Sequence, residues 1–462
     1  MFVKVVFNKY MALVYGEYMF YSQKVFGKGM GNADNYRIPA LVVTNKNTVI
    51  ACADERFFTA TDNPNKIDKV VRRSFDDGKT WGRLRTAVAS IGISEKKSVA
   101  AIDPALLHDA VTNTTFMLYC KTPAGIGLLN SKASVGMEDG GYIVRKDYKK
   151  FILKNGRLYK NGKATDVEVD EQGFIENDGN IYLGTSSYRI EQTSYLMICS
   201  SDDEGENWTT PICLNESIKK KHWRFIGPGP GCGIQIKEGK YKGRLVFPVY
   251  YSWFAGDVKI ECAVIYSDDH GKTWNIGTSP YVPGKWPKVN AKLMSPSARL
   301  TESQIVELED GVLKIFMRNH NPKRRIATAL SYDGGETWVD SKYNATLVQP
   351  VSQFAAISFD YEGKRLVVTC NPANEKTRIN GTIRISEDGG ETFPYSRQLT
   401  PDEKTMTGYF GYSSLAFLPD KTVGLLFEPD ETFEAIEFAK FSIDWIKGKT
   451  DEQFEGFDLL ED

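Results

Sequence analysis

Short apolar runs, each closed by a turn rich in Gly, Asp and Asn, recur along the whole chain. Ala40 to Ala53 (ALVVTNKNTVIACA) reads as two such runs joined by a polar turn at Asn45 to Asn47. Phe116 to Cys120, Tyr195 to Cys199, Arg244 to Tyr251, Val312 to Met317, Arg365 to Cys370 and Val423 to Phe427 have the same character. Runs of this length bounded by turn formers predict strands. Helical periodicity is hinted at only over Glu434 to Lys447, which reads as mixed helix or strand. The pattern predicts an all-β protein.

One octapeptide punctuates these strands. Ser267 to Trp274 reads SDDHGKTW, Ser74 to Trp81 SFDDGKTW and Ser331 to Trp338 SYDGGETW. Ser201 to Trp208 (SDDEGENW) has Asn207 for Thr, and Ser386 to Phe393 (SEDGGETF) ends in Phe. Asp at a turn bonds its own backbone two residues on, and Gly supplies positive φ. Ser and Thr satisfy backbone groups at the bend, and the aromatic fills an apolar slot. These boxes therefore read as folding devices, and no chemistry is assigned to their aspartates. Their last residues fall at 81, 208, 274, 338 and 393, so the later intervals are 66, 64 and 55 and the first is 127. Either one box is lost or an insertion separates the first two. Gly125 to about Tyr188, poor in apolar strands and rich in Lys, Asp and Gly, is the candidate insertion. Repeats of four strands at this spacing predict a six-bladed β-propeller with a small β-rich insertion subdomain. The expected division is 1–124 with 189–462 for the propeller and 125–188 for the insertion.

Composition narrows the function. Charge is balanced, with 58 basic and 59 acidic residues and a net charge of −1, which argues against nucleic acid as a partner. The seven cysteines (Cys52, Cys120, Cys199, Cys213, Cys232, Cys262, Cys370) are scattered without a CxxC and read as buried free thiols. His108, His222, His270 and His320 show no metal-ligand spacing, so neither a metal nor another cofactor is expected. No apolar run is long enough to cross a bilayer. The Met1 to Tyr21 stretch is interrupted by Lys4, Lys9 and Glu17 and lacks a small-residue cleavage site, so no signal peptide is expected.

A propeller places its site where loops of different blades converge. Three arginines at strand ends are candidates: Arg37 in NYRIPAL, Arg318 in LKIFMRN and Arg378 in EKTRING. Singly each reads as a surface or salt-bridge residue; together they suit planar, bidentate capture of one anionic group.

The boxes, Tyr36-Arg37-Ile38-Pro39 and the motifs around the arginines make the chain resemble the bacterial exo-α-sialidases (neuraminidases), from about residue 30 to 435 outside the insertion. The resemblance implies a six-bladed propeller and a carboxylate-binding triad of Arg37, Arg318 and Arg378. It implies Asp62 as acid/base, Tyr412 in GYSSL as nucleophile and Glu302 in LTESQ as its base. It further implies that Glu428 in GLLFE steadies Arg37, and that Arg56 and Asp103 line the pocket for the 4-hydroxyl and N-acyl side of the sugar. Without it, Asp62 suits an Asx turn, Tyr412 a core tyrosine and Glu302 a strand-edge carboxylate.

The implied substrates are sialylated glycans, glycoproteins or gangliosides. The implied location is secreted or cell-surface, although the absence of a visible leader leaves a cytoplasmic one open. Relatives include enzymes that hydrolyse sialosides and others that give anhydro or unsaturated products, and a non-catalytic sialoglycan-binding propeller is the reading from another class. Val351 stands where many relatives carry an aromatic residue, and Cys232 replaces a polar or basic one. No carbohydrate-binding module is recognised.

Overall fold

The computed structural model describes residues 4–7, 10–15, 18–281, 299–399 and 408–450, with side chains from residue 21 onward. The expected absence of a leader bears on Met1 to Tyr21, whose side chains to residue 20 lie outside the described residues. Antiparallel four-strand meanders follow one another along the chain. The first runs Asn35–Val43, Val49–Arg56, Ile67–Ser74 and Arg85–Val88. The second runs Ala100–Asp109, Thr114–Thr122, Tyr195–Ser201 and Ile212–Cys213. In the third, Ile226–Pro228 and Ile234–Gln235 share the inner place beside Leu245–Phe254, Val258–Ser267 and Asn275–Ile276. Two regular meanders follow: Ser303–Glu307 to Val339–Val348, then Ala355–Tyr361 to Tyr395–Gln398. The last holds Ser413–Phe417, Val423–Phe427 and Ala435–Phe441, and its fourth strand is Tyr18–Gly27 from the other end of the chain. Tyr10–Tyr15 and Lys4–Phe7 extend this sheet outward to six strands.

The first strands of the meanders form a ring. Asn35–Val43 packs on Ala100–Asp109 on one side and on Ser413–Phe417 on the other. Ser303–Glu307 packs on Ala355–Tyr361, which in turn packs on Ser413–Phe417. These inner strands are buried on both faces, as their apolar runs require. Side-chain amides stitch them together: Gln304 Nε2 donates to Pro230 O at 2.9 Å, and Gln353 Nε2 to Ser413 O at 2.9 Å. The strand expectations hold, and the Glu434 to Lys447 stretch resolves into Ala435–Phe441 and a short helix, Ile443–Ile446. The seven cysteines are free thiols, with Cys213 half-buried and the others buried.

Each box follows the third strand of its meander and makes one set of bonds. In the copy at Ser267, Gly271 N donates to Ser267 Oγ at 2.8 Å, and Asp269 accepts from Thr273 N at 2.8 Å and Thr273 Oγ1 at 2.6 Å. The same bonds recur at Asp76, Asp333 and Asp388. The aromatic then reaches the neighbouring sheet: Trp274 meets Phe116 edge-on with centroids 6.2 Å apart, and Trp81 meets Phe438 at 5.3 Å. Gly271 has φ +83°, and a Cβ there would lie 2.5 Å from the Phe116 ring. Because the third strand ends at the box, all boxes lie on one rim, and the turns joining second to third strands lie on the other.

The long first interval needs no missing repeat, since the boxes at Ser74 and Ser201 close consecutive meanders. The extra residues leave the second meander after Thr122 and return at Tyr195. They include the sheet strands Gly141–Lys146, Lys149–Lys154, Arg157–Lys160 and Lys163–Glu168. Val144, Phe151, Leu158, Val169 and Ile181 share one apolar cluster with Met117, Tyr119 and Tyr195 of the meander, so this sheet is seated on the ring rather than on a core of its own.

Crowding pushes the Asp269 carboxyl up, but the Thr273 hydroxyl and N–H outweigh it and bring it to about 2. Its contribution is therefore present above the unfolded carboxylate value of ~3.9 and is lost as pH falls through about 2. Asp269→Ala is expected to lower stability by about 1–3 kcal/mol, read as the urea midpoint at neutral pH. An unchanged midpoint would remove the box as a folding device.

Candidate active site

The rim opposite the boxes collects the nine candidate site residues: Arg37, Arg56, Asp62, Asp103, Glu302, Arg318, Arg378, Tyr412 and Glu428. A single geometric rule puts several of them there. In three meanders the start of the first strand and the end of the second lie opposite each other: Arg37 faces Asp54, Glu302 faces Arg318, and Tyr412 faces Glu428. The backbone pairs are close, with Arg318 N donating to Glu302 O at 3.0 Å and Glu428 N to Tyr412 O at 3.0 Å.

Two of the inner strands are bent at this rim. The register slips between Arg37 and Ala40, where Ile38 has φ 58°, and again between Ile102 and Ala105, where Asp103 has φ 62°. Both residues precede a proline. A bulge re-aims side chains at a sheet edge, and a β-branched residue in the left-handed region stores roughly 1–3 kcal/mol of strain. The bends turn Arg37 and Asp103 out of the strand alternation and toward the middle of the rim.

Tyr412 is the hub. Its side chain is buried, and its Oη donates to Glu302 Oε1 at 2.6 Å and accepts from Arg318 Nη1 at 2.6 Å. Arg318 Nη1 also donates to Glu302 Oε2, closing a three-membered network. The other two arginines lie beside the ring, Arg37 Cζ at 5.6 Å and Arg378 Cζ at 5.2 Å from its centroid. Sequence positions 37, 318 and 378 thus converge on one phenol. Burial pushes that phenol well above its ordinary value; Arg318 and Arg378 pull against it while Glu302 adds to the rise. Tyr412 is neutral at rest.

Glu428 holds the arrangement from behind. Fully buried, it accepts from Arg37 Nε at 3.1 Å and Nη2 at 3.3 Å, from Ile38 N at 3.0 Å and from Tyr412 N at 3.0 Å. Burial works to raise its carboxyl, but Arg37 and the two backbone N–H groups outweigh burial and hold it low. The Arg37 guanidinium also lies over the Phe433 ring, with Cζ 4.2 Å from the ring centroid.

Asp62 lies on the Phe57–Lys66 turn, and its side chain is 72% exposed. It accepts from Arg56 Nη1 at 2.9 Å. Crowding by the rim works to raise its carboxyl; Arg56, Arg37 and Arg318 outweigh that and hold it below the usual range. Asp103 takes the opposite direction. Burial comes first, and the carboxylates of Asp54, Asp62 and Glu302 add to it, so Asp103 keeps its proton well above the ordinary range. Arg56 itself is fully buried, with Nη1 on Ala60 O at 2.7 Å and Asp62, and Nη2 on Asp54 Oδ2 at 2.9 Å.

Four participants were not picked out from the sequence. Phe433 and Tyr409 back Arg37 and Arg378 respectively. Asp54 and Lys69 are fully buried register partners that touch each other, and Asp54 also touches Arg56. Charges in otherwise apolar strands (IACADER, IDKVV) were the available signal. Of the two departures, Val351 (φ 62°) lies half-buried before an inner strand, and Cys232 lies buried in the ring with Sγ 3.5 Å from Gln304 Oε1.

A family model described as a BNR repeat-like domain matches residues 173–425, more than half of the chain. The chain is similar to the anhydrosialidase of Macrobdella decora, 28% identical over 512 residues covering 93% of this chain and 63% of that protein. It is similar to a sialidase of Bacteroides fragilis, 29% identical over 88% of this chain and 63% of that protein. The chain thus spans somewhat under two thirds of the length of these curated relatives. Among solved structures it matches the intramolecular trans-sialidase from Ruminococcus gnavus in complex with oseltamivir carboxylate. The TM-score is 0.77 at 26% identity, covering 92% of this chain and 98% of that one.

Glu428→Leu is expected to cost about 3–5 kcal/mol, because it strands the partly buried Arg37 charge and the buried N–H groups of Ile38 and Tyr412. The loss is read by chemical denaturation at neutral pH, and an unchanged midpoint would mean that Glu428 does not anchor Arg37. Since the folded carboxyl is held low, the wild-type advantage over the variant should be full above the unfolded value of ~4.3 and should shrink as pH falls below it.

Proposed function

The chain belongs to the BNR repeat-like domain family, and on that premise we propose that it is an exo-α-sialidase. It releases terminal α-linked sialic acid from glycoconjugates with retention, through a covalent tyrosyl intermediate. The observation that carries this reading is the Tyr412–Glu302–Arg318 network with Arg37 and Arg378 beside the same ring. The meanders are read as six blades, with 1–124 and 189–462 as the propeller and 125–188 as the insertion subdomain. The similarity to sialidases and to intramolecular trans-sialidases supports the reaction class.

Sialic acid carries a carboxylate on its anomeric carbon, so a carboxylate nucleophile would approach a like charge. A tyrosine is neutral until it attacks, which is the exception among glycosidases. Arg37, Arg318 and Arg378 grip the substrate carboxylate, and bidentate guanidinium pairs suit that planar group. Glu302, already 2.6 Å from the phenol, takes the proton as Tyr412 attacks. Asp62 protonates the leaving oxygen and then serves as base for water.

Asp62 is held ionised in the free protein, so it must gain a proton in the complex. The substrate carboxylate supplies the reason. It neutralises Arg37 and Arg318, two of the cations that keep Asp62 low, and so raises the Asp62 carboxyl as it binds. Arg56, being buried and engaged at both Nη atoms, is read as a support for Asp62 more than as a direct contact to the sugar. Neutral Asp103 suits a hydrogen bond to a sugar hydroxyl or amide.

The test is incubation with a sialyl-lactose and a methylumbelliferyl sialoside, with the product identified by NMR. Free sialic acid as sole product supports hydrolysis; an anhydro or unsaturated sugar would place the chain with the intramolecular or eliminating enzymes. No turnover, with Tyr412→Phe binding sialosides as wild type does, would leave a binding propeller and sink the enzyme reading. Tyr412→Phe is expected to abolish turnover. Asp62→Ala is expected to slow the sugar leaving group by roughly 10²- to 10⁴-fold and the aryl one much less. Equal losses on both would count against Asp62 as the acid.

A further inference from the structure

We propose that Asp54 and Lys69 are positioning residues that act on Asp62 through Arg56. The proposal rests on the reading of Asp62 as the acid/base group. Asp54 and Arg56 are two apart on Val49–Arg56 and so project to the same face, while Glu55 points the other way to bind Asn32 N and Ala33 N. Lys69 is the cross-strand partner of Asp54. Lys69 Nζ donates to Asp54 Oδ1 and, at 2.7 Å, to Ala101 O. Asp54 Oδ2 accepts from Arg56 Nη2 at 2.9 Å, and Arg56 Nη1 reaches Asp62 Oδ1 at 2.9 Å. The side chains of Lys69, Asp54 and Arg56 are fully buried, and Asp62 is the one exposed end of the row.

This is an alternating chain of charges, plus, minus, plus, minus, leading from the interior to a site carboxylate. Arg56 Nε makes no hydrogen bond, so the guanidinium is aimed by its two Nη groups alone. Nη2 is fixed by Asp54, and Asp54 in turn is fixed by Lys69. Nη1 also takes Ala60 O at 2.7 Å, which ties the turn carrying Asp62 to the strand. The row therefore sets both the place of the Asp62 carboxyl and the field at it.

The field has a definite sign for each member. Asp62 is faced by Arg56, by Arg37 from the first inner strand, by Arg318 from the fourth meander and by Asp103 from the second. Asp54 is faced by Arg56, Lys69 and Asp103, and Lys69 by the Tyr119 ring at 5.9 Å and the thiols of Cys52 and Cys199. Removing the Asp54 charge takes from Arg56 and Lys69 the carboxylate they share, which pulls the Asp62 carboxyl lower. Removing the Lys69 charge has the opposite effect. A group that must be protonated to act loses activity as pH rises through its pKa, so the basic limb of kcat reports the change.

The experiment measures kcat against pH for Asp54→Asn and Lys69→Met on a sialyl-lactose and on a methylumbelliferyl sialoside, with thermal midpoints alongside. On sialyl-lactose the basic limb is expected to move to lower pH in Asp54→Asn and to higher pH in Lys69→Met, each by roughly half a unit or more. At neutral pH Asp54→Asn is expected to lose about tenfold on sialyl-lactose and under about threefold on the aryl sialoside, a part of what a positioned acid supplies. Parallel losses on both substrates, with the limbs unmoved and the midpoints lowered, would make the row a folding feature and overturn the proposal. Should a single variant fail to fold, Asp54→Leu/Lys69→Met replaces the pair by apolar groups. In that variant the two charge effects on Asp62 offset, so the basic limb is expected near that of wild type. Arg56 Nη2 still lacks its Asp54 acceptor, so the selective loss on sialyl-lactose remains, and wild-type rates on both substrates would overturn the proposal. Wild type that turns over neither substrate is a different result: it removes the functional reading itself, and the positioning role with it.

Discussion

The buried carboxylate of Glu428 is the constraint on which the rest depends. It accepts from Arg37 and from Ile38 N on the first meander and from Tyr412 N on the last. Ring closure and the site therefore share one carboxylate. The Tyr18–Gly27 strand joins the last sheet from the other end of the chain, and Glu428 ties the inner end of that sheet to the first. A buried anion with this many donors is tolerable only if each is in place. The phenol that Glu302 and Arg318 address is positioned by a backbone N–H that Glu428 holds.

The two rims of the ring divide stability from strain. On one, the boxes repeat a self-satisfied turn whose aromatic staples neighbouring sheets. On the other, Ile38 and Asp103 sit in the left-handed region before proline, each at a register slip. Strain of that kind persists only where surroundings over-determine it. For Ile38 the determinant is visible: its N–H points at Glu428.

Much of the scaffold was legible because it is local. Strand runs, turn chemistry and the boxes each depend on a few adjacent residues. The 127-residue interval could be read as a lost repeat or an insertion from spacing alone, since the difference lies in which strands pair. Arg37, Arg318 and Arg378 were legible as cations at strand ends, but their convergence on Tyr412 is a property of the closed ring. Their roles, and those of Asp62, Glu302 and Glu428, came from a family resemblance. Asp54 and Lys69 went unread because a charge inside an apolar strand states no partner; the register that pairs them is set by the hairpin joining Arg56 to Ile67. Arg56 illustrates the same limit, since its burial and its double engagement follow from Asp54 below and Asp62 above.

On the proposed reading, the site's charges are arranged so that binding and proton transfer are coupled. The site presents three guanidiniums beside a neutral phenol, with Asp103 protonated and Asp62 ionised. One anion entering among the guanidiniums changes the balance for Asp62 more than for Tyr412, because the phenol has burial and Glu302 keeping it protonated. The acid is thus made ready by the same carboxylate that marks the substrate, while the nucleophile waits for Glu302. A neutral sugar occupying the rim would leave Arg37 and Arg318 unneutralised and Asp62 ionised, with no proton to give to a leaving group. Selectivity for an anionic sugar then follows from the charge balance at the acid as much as from contacts to the anion, and the buried row behind Arg56 is where that balance is set.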